Sequence, residues 1–422
     1  MKSIKLIHIG DVHYPEAADK GTQVDKKDKG FDPEFVDKIA PNPFMEVGRS
    51  LIKCLEEDEI QGILFSGDLT SIGNLVAYDD CVKYFDQIIR SVEKNTNRKL
   101  EVHVVPGNHD LKRKGINIKE RFEDFSAVWS GIGRDIFPID NIKKSTIGHN
   151  GVELKIISLN TCLGCGEEYK KFPDEIANVY KKLIDASELE NKENFDNFCE
   201  RIDTPAIYQK NLHEIENEVS ESEESSLCLI LGHHALLPQP TVRLALYTEI
   251  INGGNARMVL TTLNNPVIYC HGHIHDDPIE IVTQASRENS SLVLISAPEY
   301  IKGFNVVEIF YTNSGYPVGL VVAPYRTETW GGVRLKEITK IPIRQPENML
   351  NFCDERTVSV YKCLTDRHMR FEDIKSALQE QGADADDHEL ENMLDELEWL
   401  RVVSISNKSK PSRNWLIGRI GL

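Results

Sequence analysis

Short apolar runs of strand length recur along the chain, and many stop at a polar residue beside a glycine. Ile4 to Ile9, Ile60 to Phe65, Val102 to Val105, Leu227 to Leu231 and Val267 to Cys270 are five of them. Between the first three, the apolar positions switch to helical spacing over Met45 to Leu55 and Val76 to Val92. That alternation predicts β-α-β-α-β, a sheet covered by helices. Ile116 to Val128 continues with helical spacing, Val152 to Leu159 with that of a strand, and Ile207 to Val219 with that of an amphipathic helix. Beyond residue 275 the pattern is strand-like again, over Ile279 to Val282, Leu292 to Ser296, Asn305 to Tyr311 and Val318 to Ala323. The fold class is α/β.

Three stretches break this rhythm. Residues 15–43 are rich in Lys, Asp, Gly and Pro without an apolar period, which predicts a long loop. Residues 164–226 set a few apolar positions in a polar background and end in a Ser/Glu run, which predicts an insertion or cap between two core strands. Residues 339–350 are Pro-containing and unpatterned, and are expected to link a catalytic domain over 1–338 to a C-terminal domain over 351–422. In the latter, helices over Val358 to Leu364, Phe371 to Gln379 and His388 to Leu400 precede two short strands, Val402 to Ser406 and Trp415 to Ile420. This order resembles a winged helix-turn-helix domain, on pattern alone.

The chemistry sits where the strands stop. The first ends in Gly10-Asp11-Val12-His13, the second in Ser66-Gly67-Asp68, the third in Pro106-Gly107-Asn108-His109-Asp110. Two more end in Gly232-His233-His234 and His271-Gly272-His273-Ile274-His275. In open α/β sheets the carboxyl ends of the strands are where ligands bind. Two carboxylates, a carboxamide and at least four imidazoles make an oxygen and nitrogen donor set suited to two divalent transition metals, without thiolates.

Composition narrows the classes. The 422 residues are 40% hydrophobic, enough for a large core and more than one domain. No apolar run approaches the roughly 20 residues needed to span a bilayer, and the chain enters its first strand without a signal peptide, so a cytoplasmic protein with no membrane partner is expected. Nine scattered cysteines suit free thiols in a reducing compartment. Cys162 and Cys165 are the only close pair, with no Cys/His pair near them in sequence, and read as buried thiols rather than a zinc knuckle or redox centre. The net charge of −18 argues against binding nucleic acid through the overall field. Residues 164–226 hold 17 Asp and Glu against 7 Lys and Arg, a net of −10, so one segment carries over half of the excess.

Asp11-Val12-His13, Gly67-Asp68, Gly107-Asn108-His109-Asp110, His233 and Gly272-His273-Ile274-His275 together resemble the pattern of calcineurin-like metallophosphoesterases. The resemblance covers roughly residues 1–325 and implies two packed sheets flanked by helices. It implies that Asp11, His13 and His275 bind one metal ion, that Asn108, His233 and His273 bind the other, and that Asp68 bridges them. His109 would not ligate; its implied place is by the scissile phosphate, as proton donor to the leaving oxygen. Asp110 would orient His109 or a metal-ligating group, or serve only as the turn's acceptor. Two cations about 3.5–4 Å apart would clamp the phosphoryl oxygens and lower the pKa of a bridging water. Mn²⁺ is favoured by the oxygen-rich ligation, while Fe, Zn and Ni also fit imidazole.

The flanking residues bear on the branch. Protein phosphatases of this superfamily carry arginines after the bridging aspartate and before the Gly-Asn-His motif. Here Leu69-Thr70-Ser71 and Val105-Pro106 stand instead, closer to the phosphodiesterase branches, which include the Mre11/SbcD nucleases. The substrate expected is a nucleic acid or a nucleotide diester, with a small cyclic nucleotide, a phosphomonoester or a non-catalytic scaffold as alternatives. The third C-terminal helix, 386–399, holds seven Asp and Glu and no Lys or Arg, so a DNA groove would repel it. The nearby positive charge is Lys408, Lys410, Arg413 and Arg419. Docking of a partner protein, or self-association, is therefore expected of 351–422, with contacts of the wing to nucleic acid as the second reading.

Overall fold

The computed structural model describes residues 1–19, 42–112, 117–131, 139–166, 178, 182, 203–220, 226–238, 249–284, 291–328, 331–343 and 349–420. Most of the expected loop 15–43 and most of the insertion 164–226 lie outside the described residues. In chain order the first half contains β1 (Lys2–Ile9), α1 (Glu16–Asp19), α2 (Pro43–Glu57), β2 (Gly62–Phe65), α3 (Leu75–Thr96), β3 (Glu101–Val104), α4 (Ile118–Arg121), α5 (Glu123–Gly131), β4 (Ile142–His149) and β5 (Val152–Leu159). The second contains α6 (Gln209–Ser220), β6 (Cys228–Leu231), α7 (Gly253–Thr262), β7 (Val267–His271), β8 (Ile279–Thr283), β9 (Ser291–Ser296), β10 (Gly303–Tyr311), β11 (Pro317–Thr327), β12 (Val333–Leu335) and β13 (Thr339–Pro342).

These strands form two mixed sheets flanked by helices, as expected. One has the order β12-β11-β10-β1-β2-β3, with β13 also paired to β11; the other has the order β4-β5-β6-β7-β9-β8. β1, β2 and β3 run parallel side by side, as do β5, β6, β7 and β9. Parallel neighbours stop at the same edge, so the loops after β1, β2, β3, β6 and β7 open on one side of the molecule.

Strands buried on both faces explain the unbroken apolar runs. Ile4 and Leu6 join Leu229, Leu231, Ile268 and Val307 in the core between the sheets, whereas Ile7 and Ile9 join Leu51, Tyr78 and Phe85 beneath α2 and α3. Asn42 and Asn74 start those helices by accepting backbone amides at their N-termini, an arrangement worth about 1 kcal/mol each.

One expectation is corrected. The linker does not begin at 339: Thr339–Pro342 is a strand on β11, with Ile341 buried in the inter-sheet core. The sequence Thr-Lys-Ile-Pro hides it, because only one residue points inward.

The C-terminal unit comprises α8 (Glu355–Cys363), β14 (Met369–Arg370), α9 (Phe371–Glu380), α10 (Asp387–Trp399), β15 (Val403–Ser406) and β16 (Leu416–Arg419), with the three strands in one sheet. The C-terminal end of α10 docks on the first sheet. Trp399 stacks on Phe310 of β10 with ring centroids 5.0 Å apart, and Glu396 accepts the amide of Asn313 at 3.0 Å. Val318 of β11 lies within the C-terminal core. An apolar patch of the first sheet needs covering, and α10 covers it. Of the four expected cations, Lys408 is paired with Asp395 and Glu398, and Arg419 lies over the Tyr361 ring at 4.6 Å.

Candidate metal centre

Each strand end contributes its polar residue to one cleft. Asp11 follows β1, Asp68 follows β2, Asn108 follows β3, His233 follows β6 and His273 follows β7. The loops are stitched by their backbones: the amides of Asp11 and His13 donate to Gly67 O and Asp68 O at 3.1 and 3.0 Å, and that of Gly272 to His233 O at 3.0 Å.

Backbone conformation marks the same residues. Asp11, His13, Asp68, His273 and His275 all have positive φ, between 47° and 70°, and account for five of the nine such non-glycine residues described. Each costs on the order of 1–3 kcal/mol, a strain that collects at functional sites. Glycines allow the close approach. A Cβ on Gly107 would overlap the Asp68 carboxylate, and one on Gly272 would stand 2.7 Å from Asp11 Oδ2.

The side chains converge in two groups. His13 Nε2 and His275 Nε2 are 3.0 Å apart, and His275 Nε2 is 3.6 Å from Asp11 Oδ1. Asp11, His13 and His275 offer donor atoms that all lie within 4.8 Å of one another. Across the cleft, His233 Nε2 is 3.0 Å from Asn108 Oδ1 and 3.3 Å from Asp68 Oδ2. Asp68 also groups with Asp11 and His233, and with His13 and His109, which places it between the two halves. The His13 and His109 rings meet edge-on at 5.0 Å.

The electrostatics would suit a cation. Asp11 and Asp68 are buried, at 0% and 1% exposure. Burial, with the Asp68 charge adding to it, pushes the Asp11 carboxyl up to about 6. Burial also works against ionised Asp68, but the imidazoles of His233 and His109 overcome it and hold this carboxyl well below its ordinary value. Burial, and then the neighbouring His109, depress the His13 ring to about 3. Burial opposes a charge on His233, yet the Asp68 carboxylate outweighs it and raises the ring to about 9. Divalent ions would relieve these conflicts by neutralising the carboxylates and using the imidazole lone pairs.

The second layer of contacts fits the same role. His233 Nδ1 lies 2.7 Å from Ser66 O, so an Nδ1–H donated there leaves Nε2 free to ligate. The amide of His273 donates to both Asp11 oxygens at 3.0 Å, and that of His109 to Asp68 Oδ1 at 2.9 Å. The Asp110 carboxylate accepts the amide of Gly107 in its own turn at 3.0 Å and those of Leu69 and Thr70, in the loop that carries Asp68, at 3.1 and 3.0 Å.

One residue was passed over in the sequence. His234, buried beside its neighbour, lies tilted 4.4 Å from the His273 ring and edge-on 4.7 Å from that of His233. The doubled histidine was the signal, but only one of the pair was singled out.

Comparison with curated proteins gives no match. Among solved structures the chain is similar to GAP50, the anchor in the inner membrane complex of Plasmodium, at 10% identity and a TM-score of 0.41, covering 84% of this chain and 92% of that one. It is also similar to a putative 5′-nucleotidase of Staphylococcus aureus (9% identity, 95% of this chain and 59% of that one, TM-score 0.39). A third is the NAD nucleotidase of Haemophilus influenzae (9% identity, 94% and 62%, TM-score 0.39). These likenesses are remote, and the chain spans only about three fifths of either nucleotidase. The calcineurin-like phosphoesterase family model, in contrast, matches residues 4–277, from β1 to just past His275 and well over half the chain, and the protein belongs to that family.

Proposed function

We propose that the protein is a dinuclear-metal phosphodiesterase acting on a nucleotide diester. The observation that carries this reading is the convergence of seven donor residues from five strand ends on one cleft whose flanks lack the arginines of monoester-cleaving relatives. Leu69 and Val105 stand there and are buried, at 1% and 0% exposure. A monoester dianion needs such a clamp; a diester, with one charge fewer, needs less.

Asp11, His13 and His275 would hold one cation and Asn108, His233 and His273 the other, with Asp68 between them. When bound, two such ions neutralise the phosphoryl oxygens and make water acidic enough to attack near neutral pH. The chain supplies the rest. Asp68 is oriented by the His109 amide, and Asp11 by the His273 amide. His109 stands against the His13 ring, where its imidazole can donate a proton to the leaving oxygen. Mn²⁺ remains the favoured ion.

Between nucleic acid and a small nucleotide, two observations favour the small substrate. The net charge is −18, and α10, the helix that would enter a groove, is acidic along its length, with Asp386 and Asp387 exposed at its start. The C-terminal unit remains winged-helix-like in the order of its elements, with partner docking left to its outer surface. The scattered cysteines keep the expected setting reducing and cytoplasmic.

The test is kcat/KM on bis(p-nitrophenyl) phosphate and p-nitrophenyl phosphate with Mn²⁺, followed by cyclic nucleotides, single-stranded DNA and RNA. Diester preference supports the reading. Faster monoester cleavage contradicts it.

A further inference from the structure

The fold completes a cluster that the sequence left unfinished. Cys162 and Cys165 lie in the loop after β5, where the Cys165 amide donates to Cys162 O at 3.0 Å and closes a tight turn. No histidine neighbours them in sequence, but β6 runs parallel to β5 and delivers His234 to the same edge. Cys162 Sγ is 3.8 Å from His234 Nδ1, and the donor atoms of all three residues lie within 4.8 Å of one another. Cys162 and Cys165 have no exposed surface, and His234 has 1%.

We propose that Cys162, Cys165 and His234 form a third metal site beside the dinuclear centre, whose His233 and His273 also offer donor atoms within 4.8 Å of that of His234, and that it takes Zn²⁺. Two thiolates and an imidazole are a zinc donor set, with donors about 2.0–2.3 Å from the ion and one tetrahedral corner left for water. Binding releases two thiol protons to solvent. The two thiolates then cancel the charge of the ion, and a neutral assembly suits a buried place. The dinuclear centre offers oxygen and imidazole donors but no thiolate, so sulfur ligation distinguishes this site from it.

The surroundings hold the cluster in shape. Arg121, itself buried, donates to Cys165 O and, at 3.4 Å, to Leu163 O. Thr161 Oγ1 is 3.0 Å from His234 Nδ1 and accepts the amides of His233 and His234 at 3.3 and 3.2 Å. The hydroxyl keeps those amides when Nδ1 turns to a metal. Cys162 Sγ also lies 3.5 Å from Pro106 O, just ahead of Asn108, so an ion here would brace the loop that carries Asn108 and His109. The competing account is that both thiols are plain core residues, since they pack with Leu111 and Phe122.

Cobalt substitution and zinc-edge X-ray absorption on the reduced full-length chain decide between the two. A sulfur-to-cobalt charge-transfer band should appear on Co²⁺ addition to the wild type and vanish in Cys162→Ser and Cys165→Ser. Zinc-loaded wild type should show sulfur neighbours at about 2.3 Å. A wild type that binds Co²⁺ without that band, or a zinc shell of oxygen and nitrogen alone, overturns the site. The wild-type spectra decide the matter even where a serine variant does not fold.

Discussion

Asp110 binds Thr70: its Oδ1 accepts the Thr70 amide at 3.0 Å and lies 3.3 Å from the Thr70 hydroxyl. With the Leu69 and Gly107 amides on Oδ2, this carboxylate pins the loop bearing Asn108 and His109 to the loop bearing Asp68.

Asp110→Ala should therefore act on structure before chemistry. It leaves three buried amides without an acceptor, and should lower stability in urea by about 3 kcal/mol. Activity should fall with it as the two loops drift apart. An unchanged unfolding midpoint would show that Asp110 does not join them.

Docking of the C-terminal unit should be measurable as well. Trp399→Ala removes the stack on Phe310 and should cost about 1–3 kcal/mol, less than for a fully buried tryptophan. A chain ending near residue 349 would expose Phe310 and the buried Val318, and should aggregate or melt earlier than the full protein. Equal melting temperatures and solubility would mean that the two units are independent.

His8 gives a pH prediction. It is fully buried between the sheets with neither ring nitrogen hydrogen-bonded, and burial, then His271 and Arg326, hold its ring down at about 3. An unfolded imidazole ionises near 6.5, so between those values the unfolded chain holds the extra proton. Stability contributed by the neutral ring is present above that window and is lost as pH falls through it, by up to about 1.4 kcal/mol per pH unit. Urea titrations of chelator-treated protein at pH 5 and 7 should show a shallower acid loss in His8→Leu than in wild type. Parallel pH slopes would contradict the assignment.

Much of the site was legible because its signals are local. A fully buried strand is a continuous apolar run, and a donor that must sit at its end in a left-handed conformation, beside a glycine that admits close approach, leaves a short mark such as Gly67-Asp68 or Gly272-His273. Elements with sparse burial escaped. β4 buries only Ile142 and Ile147 among eight residues, and its one clear sign was the Asn150-Gly151 turn that joins it to β5. The meeting of Cys162 with His234 crosses 72 residues and depends on two parallel strands ending side by side. The docking of α10 likewise depends on a partner surface far away in the chain.

The central claim is that seven side chains hold two metal ions while His109 serves the substrate. Manganese content, read by elemental analysis alongside diester hydrolysis in wild type, Asp68→Ala and His109→Ala, tests it most directly. The account predicts two Mn²⁺ per chain in wild type and in His109→Ala, fewer in Asp68→Ala, and activity lowered in both variants, by about 10²–10⁴-fold in His109→Ala. A His109→Ala protein that loses manganese as severely as Asp68→Ala, or a wild type that cleaves the diester with no manganese bound, would contradict it.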